Sequence, residues 1–595
     1  MKITNIYQSL INQEVNNVRE LAEKGDLISA FFSVREFCNR VPSSTMQLYD
    51  FQCELAEALN NNHIVYECAC KQMEIYGRMS VFDLSRTFQA FSISLLKLGK
   101  VVGLKNFLKI YHIEKDFEAF KKNFKNRATK KQWDILNPLS PLDKINLATL
   151  SLWTQQFRDG GYEQIVNSTI TLHKGAKFYD ELRLRKALAY IELNRAKDAI
   201  KFIQQTDEQF TDKDLLALLW AYMQDNNINA VNFYFDKVLN LASKNKIDYE
   251  FLGNIIEFLD KYSMWQELLD FVGIELNFYP VDYLLNMYSI VANYNLGNKI
   301  DYAFNLERLT ILNPYNIVPV RVIQNAIELG KDTIMMNAPI DPAVEQEIVL
   351  NYQELIASLD SKDKVNEIVS SKRKMENIAT YIGFLSEGVE QSQLNKIVAV
   401  DTKFETMFKN LLFIEQVRLS QKLPILNALV KSSVDRNFFL SSNYIFYFGR
   451  MLDIEFLAKY GENMTEIYSM VLDYLVSLPN NMVDVYVPLV NFCVELFCKQ
   501  ILSSNIALLN QKSRIASIII NLYFKLAFDT FPKSCIVTNC GVSKDDLLSF
   551  NYCSADFGIK MVDGIVYVDD QPVDLVDLFE TTHADSDLKI VKKDK

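Results

Sequence analysis

Ala187-Leu-Ala-Tyr-Ile-Glu-Leu-Asn-Arg-Ala-Lys-Asp-Ala-Ile200 is the stretch whose reading decides the fold. An apolar helix runs into a short polar turn at Asn194, and a second helix opens around Ala196. The same helix-turn-helix pattern recurs about five times between Leu147 and Tyr315. With the inward-facing residue early in the second helix as the mark, the repeats fall at Ile165, Ala199, Phe233, Leu268 and Ala303, spaced by 34, 34, 35 and 35. Recurrence at a fixed interval is the sign of an array in which each hairpin buries its apolar face only against its neighbours.

Twelve residues before each mark, where paired helices must approach closely, stand Trp153, Ala187, Ala221, Ile256 and Val291. Three before it stand Tyr162, Ala196, Ala230, Trp265 and Ile300, suited to fill the angle between the two helices. Pro280 and Pro314 follow two of the second helices, where the ring blocks continuation. Taken together these positions resemble the tetratricopeptide repeat, whose period is 34 residues. The late second-helix positions, among them Lys237, Asn240 and Glu275, depart from the small or aromatic residues of that family. A generic α-solenoid of helical hairpins needs only the period and the apolar face.

The resemblance implies a concave groove lined by the first helices. Its polar and aromatic occupants would be Thr154, Phe157, Arg158, Glu181, Glu192, Tyr222, Asp225, Asn226, Glu250, Glu257, Asp260, Lys261, Tyr288 and Asn295. The expected partner-binding set within it is Arg158, Tyr222, Asp225, Asn226, Glu257, Asp260, Tyr288 and Asn295. Acids outnumber cations, so the groove favours a basic or neutral polar segment over a carboxylate terminus. Tyr222 and Tyr288 are the expected anchors, because tyrosine pairs rigid contact area with a hydrogen-bonding tip. Merely solvated faces are the alternative for the same residues.

Composition agrees with a helical chain. Apolar residues make up 49% of the 595, charged residues 23%, and 18 Gly with 13 Pro leave few breakers. A net charge of -11 disfavours whole-surface affinity for nucleic acid or anionic membrane, which leaves protein as the expected partner. The one basic cluster, Lys122, Lys125, Arg127 and Lys130 beside Phe117, Phe120 and Phe124, reads as buried phenylalanines with solvated lysines. No apolar run reaches the roughly 18 residues of a membrane span. Met1 to Glu14 lacks the apolar core of a secretory signal, and nine scattered cysteines suit a reducing compartment, so a cytoplasmic protein with free thiols is expected.

The expected architecture is all-α. Degenerate helical repeats fill 1–146, with a candidate hairpin at Asn17 to Pro42, and the tetratricopeptide-like repeats fill 147–330. A two-proline linker at 331–342 leads to a second helical region at 343–531, for which HEAT-like hairpins are one reading. The segment 532–580 carries a β-hairpin, in which Ile559-Lys-Met-Val562 and Ile565-Val-Tyr-Val568 flank Asp563-Gly564, a favoured type I′ turn. The tail 581–595 is expected to be disordered.

Catalytic signatures are missing: no phosphate-binding loop, no dinucleotide glycine fingerprint, no His-Glu-x-x-His and no Gly-x-Ser-x-Gly. No catalytic residue, cofactor or metal is therefore expected. His63, His112, His173 and His583 lie far apart. Cys535, Cys540 and Cys553, with His583 or Cys498, are the one set with a conceivable zinc geometry, though the paired Cys-x2-Cys knuckles are lacking. The sequence supports a cytosolic interaction scaffold or adaptor that receives a partner peptide or helix in its groove. The alternative is an enzyme or metal-dependent regulator with its site in the C-terminal half.

Overall fold

The computed structural model describes residues 2–40, 46–77, 85–100, 140–205, 210–336, 342–386, 389–432, 437–442, 444–450, 462–477 and 511–528. Shorter pieces are described within 103–137, 490–497, 542–546 and 559–572. The chain is mostly helical and divides into two compact units. The first holds Met1–Ala69 and Lys130–Tyr381, the second Cys70–Thr129 and Ile382–Lys595.

In the first unit the helices α1 (Lys2–Glu23), α2 (Leu27–Arg40) and α3 (Met46–Ala58) precede α4 (Asn62–Gly77), which belongs to the first unit as far as Ala69, then α5 (Ser85–Lys97) of the second unit and the short α6 (Lys130–Asp134). Then come α7 (Pro141–Arg158), α8 (Tyr162–Val166), α9 (Tyr179–Glu192), α10 (Ala196–Gln204), α11 (Asp212–Gln224) and α12 (Ile228–Ala242). They continue as α13 (Leu252–Lys261), α14 (Trp265–Glu275), α15 (Tyr283–Asn295), α16 (Tyr302–Leu312) and α17 (Val318–Glu328). Last are α18 (Pro342–Ser358), α19 (Lys362–Ser370) and α20 (Lys372–Thr380). From α7 to α12 and from α13 to α20 successive helices pair, α12 packs on α14, and α7, α9, α11 and α13 pack each on the next.

One local device recurs at many of the described hairpin turns. The helix ends on a residue in the left-handed region, whose amide bonds three residues back while the next amide bonds five back. Asn194 (φ 57) does so with Asn194 N–H to Ile191 O and Arg195 N–H to Tyr190 O, each 2.9 Å. Gly25, Asn60, Gly160, Asn226, Ser263, Gly297 and Gly330 make the same pair of bonds in this unit, and Gly99 makes it in the other. Two carbonyls that the helix end would orphan are satisfied in this way, and Gly and Asn are the residues that reach the conformation with least strain. In several turns the next residue then caps the following helix, as Asp26 accepts from Ser29 N at 3.0 Å and Asn227 from Ala230 N at 3.2 Å.

The first-helix register holds throughout: Trp153, Ala187, Ala221, Ile256 and Val291 are all buried. The second-helix register holds for Ile165, Ala199 and Leu268 and fails at two marks, because Phe233 is 56% exposed and Ala303 is also exposed. Measured on the turn residues, the intervals are 34, 32, 37, 34 and 33 from Gly160 to Gly330, so a constant period slips where a hairpin is short or its turn is long. Val231 and Leu306 take the inner places instead. Phe233 lies edge-on to Tyr234, with the Lys237 ammonium 4.5 Å over its ring.

The N-terminal helices pack against α16 and the segment ahead of α15. Arg35 on α2 makes a two-pronged pair with Glu67 on α4, both bonds 2.9 Å, and donates to the Leu312 carbonyl at 3.3 Å. Asn39 donates to Ile311 O at 3.0 Å, and Asn61 to Val281 O at 2.9 Å.

The second unit also contains α21 (Gln391–Val400), α22 (Thr402–Leu411), α23 (Leu419–Ser432), α24 (Glu462–Ser477) and α25 (Lys512–Phe528). Within the region expected to be wholly helical, β1 (Asn437–Ser442) and β2 (Ile445–Arg450) form an antiparallel pair. Asn437-Phe-Phe-Leu and Ile445-Phe-Tyr-Phe carry the aromatic and β-branched residues that favour a pleated surface over a helix. Tyr444 in the connection is left-handed (φ 61), and its carbonyl lies so close to Gly103 that a Cβ there would collide with the oxygen. Further on, β3 (Ile559–Val562) pairs antiparallel with β4 (Ile565–Val568), and β4 with β5 (Gln571–Pro572). The Asp563-Gly564 turn and the tail lie outside the described residues, as do the three phenylalanines of the basic cluster.

Candidate functional site

The structure separates the residues expected to bind a partner: some stand exposed at helix ends, and others are packed into the core or engaged with a neighbouring segment. Asp225 and Asn226 belong to the turn after α11: Asp225 caps the helix and Asn226 is its left-handed residue (φ 56). Both are exposed, and their sequence positions are explained by the turn. Arg158, also exposed, closes α7. Tyr222 is half-buried, stacked on Tyr234 with ring centroids 5.3 Å apart, and its hydroxyl accepts from Gln204 Nε2 at 2.9 Å. Its ring is part of a packed pair.

The charges expected along the face are unevenly compensated. Lys213 on α11 meets Glu181 on α9 at 2.7 Å and Asp248, ahead of α13, at 3.7 Å, so one ammonium ties α9, α11 and the approach to α13. Lys261 sits 4.4 Å over the Trp220 ring, held by the negative face of the indole.

Glu257, Asp260 and Tyr288 are brought together between α13 and α15. Glu257 is exposed, and Asp260, one turn along the helix, is fully buried with neither carboxylate oxygen in a hydrogen bond of full geometry. Burial, with Glu257 beside it, pushes the Asp260 carboxyl up to about 6, while the Tyr288 hydroxyl approaching from α15 partly offsets the rise. Tyr288 itself is only 6% exposed, and burial followed by the two acids holds its phenol well above the usual range. The expected anchor thus lies buried beside the two acids.

Asn295, at the end of α15, already has a ligand. Its Nδ2 donates to the Ile334 carbonyl at 2.8 Å and its Oδ1 accepts from the Ile334 amide at 2.7 Å.

Three features escaped the sequence reading. Glu275 on α14 is buried with Oε1 unbonded, and burial pushes it up to about 7. Near it the Tyr249 hydroxyl donates to Asp282, which caps α15 through Leu285 N at 2.9 Å, and the His63 ring lies 5.5 Å from that of Tyr249. In the second unit Lys422 is fully buried on α23, donates to the Ser441 carbonyl, and is pulled down to about 8 by burial, with Glu415 opposing that shift. Glu415 accepts from Ser441 Oγ and from Tyr444 N at 2.7 Å, so this pair secures the β1–β2 connection. No periodic pattern announces a lone buried charge, and only its tertiary partners reveal it.

Among the described residues no group of three or more His, Cys, Asp or Glu could hold a metal ion, and no helix is long and apolar enough to cross a membrane. Cys38, Cys53, Cys68, Cys70 and Cys493 are buried thiols; Cys535, Cys540, Cys553, Cys498 and His583 lie outside the described residues. Comparison with models of known protein families, with curated proteins and with solved structures yields no match.

Proposed function

We propose that the chain is an interaction scaffold, a tetratricopeptide-like solenoid whose first-helix face receives a basic segment of a partner protein in the cytoplasm. The stacking of α7, α9, α11 and α13 through their first helices supports the architecture. The observation that carries the partner's chemistry is Asp260, a buried carboxylate without a full hydrogen bond beneath the exposed Glu257. A carboxylate in that state is costly until a cation or a proton meets it. An ammonium or guanidinium entering beside Glu257 would supply both charge and donors, and Arg would do so with two parallel bonds. Elsewhere on this face Lys213 already answers Glu181.

The test is selection of a displayed random decapeptide library on the full chain at pH 7.5, with the Glu257→Gln/Asp260→Asn double variant as counter-target. Peptides rich in Arg and Lys should be enriched on the parent chain, lose at least tenfold in affinity on the variant, and weaken as pH falls below about 6 and Asp260 takes up a proton. Selection of acidic peptides, or of basic ones that bind the variant equally, would defeat the assignment.

A further inference from the structure

The turn after α17 repeats the device found at the other hairpins, with Gly330 left-handed (φ 59), its amide on Ile327 O at 3.1 Å and the Lys331 amide on Ala326 O at 3.0 Å. After Asn194, Asn226, Ser263 and Gly297 that turn leads to a second helix. After Gly330 the described residues 331–336 run without regular structure instead. Lys331, Asp332, Thr333 and Met335 are exposed, whereas Ile334 among them is 2% exposed. Its amide and carbonyl are both taken by the side chain of Asn295, as a neighbouring strand would take them, and the Tyr294 hydroxyl donates to the Lys331 carbonyl.

We propose that the end of α15 is a site for an extended peptide with a branched aliphatic anchor, and that residues 331–336 are its resident plug. Two features suit exchange. An asparagine that reads only main-chain amide and carbonyl imposes no sequence beyond the anchor, so the site's selectivity resides in the pocket under Ile334. Among the described residues the plug buries one side chain, Ile334, and bonds through main-chain groups to Tyr294 and Asn295, an irregular segment of the kind that opens locally. A partner segment with Ile, Val or Leu at the anchor can take the same bonds once the plug leaves. The inference rests on the first-helix face being a docking surface, but its site and its ligand chemistry are distinct from those of Asp260.

The experiment uses the full chain with residues 332–336 replaced by Gly and Ser, and a fluorescent peptide of sequence Asp-Thr-Ile-Met-Met-Asn added in trans. The replaced chain should bind the peptide, the parent chain at least tenfold more weakly because its own segment competes. Binding should be lost with Asn295→Ala in the replaced chain and with Asp in place of the peptide's Ile. Hydrogen exchange of the unaltered chain gives an independent reading, in which the Ile334 amide should exchange by local opening, well before the amides in the middle of α15. Failure of a folded replaced chain to bind, equal binding by the parent, indifference to Asn295→Ala, or an Ile334 amide that exchanges only with α15 would each overturn the plug. None of these outcomes touches the selection of basic peptides at Glu257 and Asp260, so the two proposals fail separately.

Discussion

At the scale of the residue, Asp260 shows how burial without a partner becomes a measurable property. Its folded-state value of about 6 lies above the ordinary carboxylate value of 3.8, so the folded chain holds a proton that the unfolded chain has released. The stability contributed by this group is full at low pH and is lost as pH rises through about 6. Asp260→Asn fixes the neutral form without changing the shape. It should therefore raise stability at pH 7.5 by about 1 to 3 kcal/mol and change little at pH 4. Urea unfolding of parent and variant at the two pH values measures the difference directly; an equal effect at both would mean that Asp260 carries no burial penalty. Glu275, pushed up to about 7, contributes with the same sign over a slightly higher window. Arg183 and Asp214, each 1% exposed and 3.3 Å apart, illustrate the paired alternative.

At the scale of the element, the register of the hairpins separates two substitutions that the sequence period alone treats as equivalent. Ala199 is 1% exposed against Ile191 and Ala221, so Ala199→Trp should overpack α10 and cost about 1 to 3 kcal/mol. Ala303 is exposed on α16, and Ala303→Trp should stay within about 0.5 kcal/mol. Melting curves of the two variants decide it, and comparable losses would return Ala303 to the core. The helices and first-helix faces were legible because a close-packed helix pair demands apolar residues at a steady interval, as Trp153 and Ala187 show. The second helices were less so, since turn residues such as Asn226 and Gly297 set the true spacing and each turn carries its own length. The β1–β2 pair was missed in a stretch read for helical period alone. Of the expected binding residues, Glu257, Asp260 and Tyr288 do share a place. Asp225 and Asn226 serve the turn, and Asn295 is engaged with a segment of the chain that no local pattern would put beside it.

At the scale of the whole molecule, the first unit is joined by contacts that an array of independent repeats would lack. Units that touch only their neighbours lose stability locally when one is damaged. Here α2 reaches α16 across more than 270 residues of sequence, through Arg35 to the Leu312 carbonyl, Asn39 to the Ile311 carbonyl, and Arg308 4.7 Å over the Phe32 ring. Arg35 also ties α2 to Glu67, so that one guanidinium bridges two N-terminal helices and the end of the repeats. Arg35→Ala leaves the Glu67 carboxylate, 16% exposed, without its guanidinium, at a cost of about 3 kcal/mol. If α2 and α16 open as one cooperative body, the amides of Leu309 and Ile311 should lose protection from hydrogen exchange together with those of Phe31 and Val34. The middle of α9, remote from the junction in the chain of packed helices, should change far less. Loss of protection confined to α2 would show that the N-terminal hairpins rest on the repeats without stabilising them.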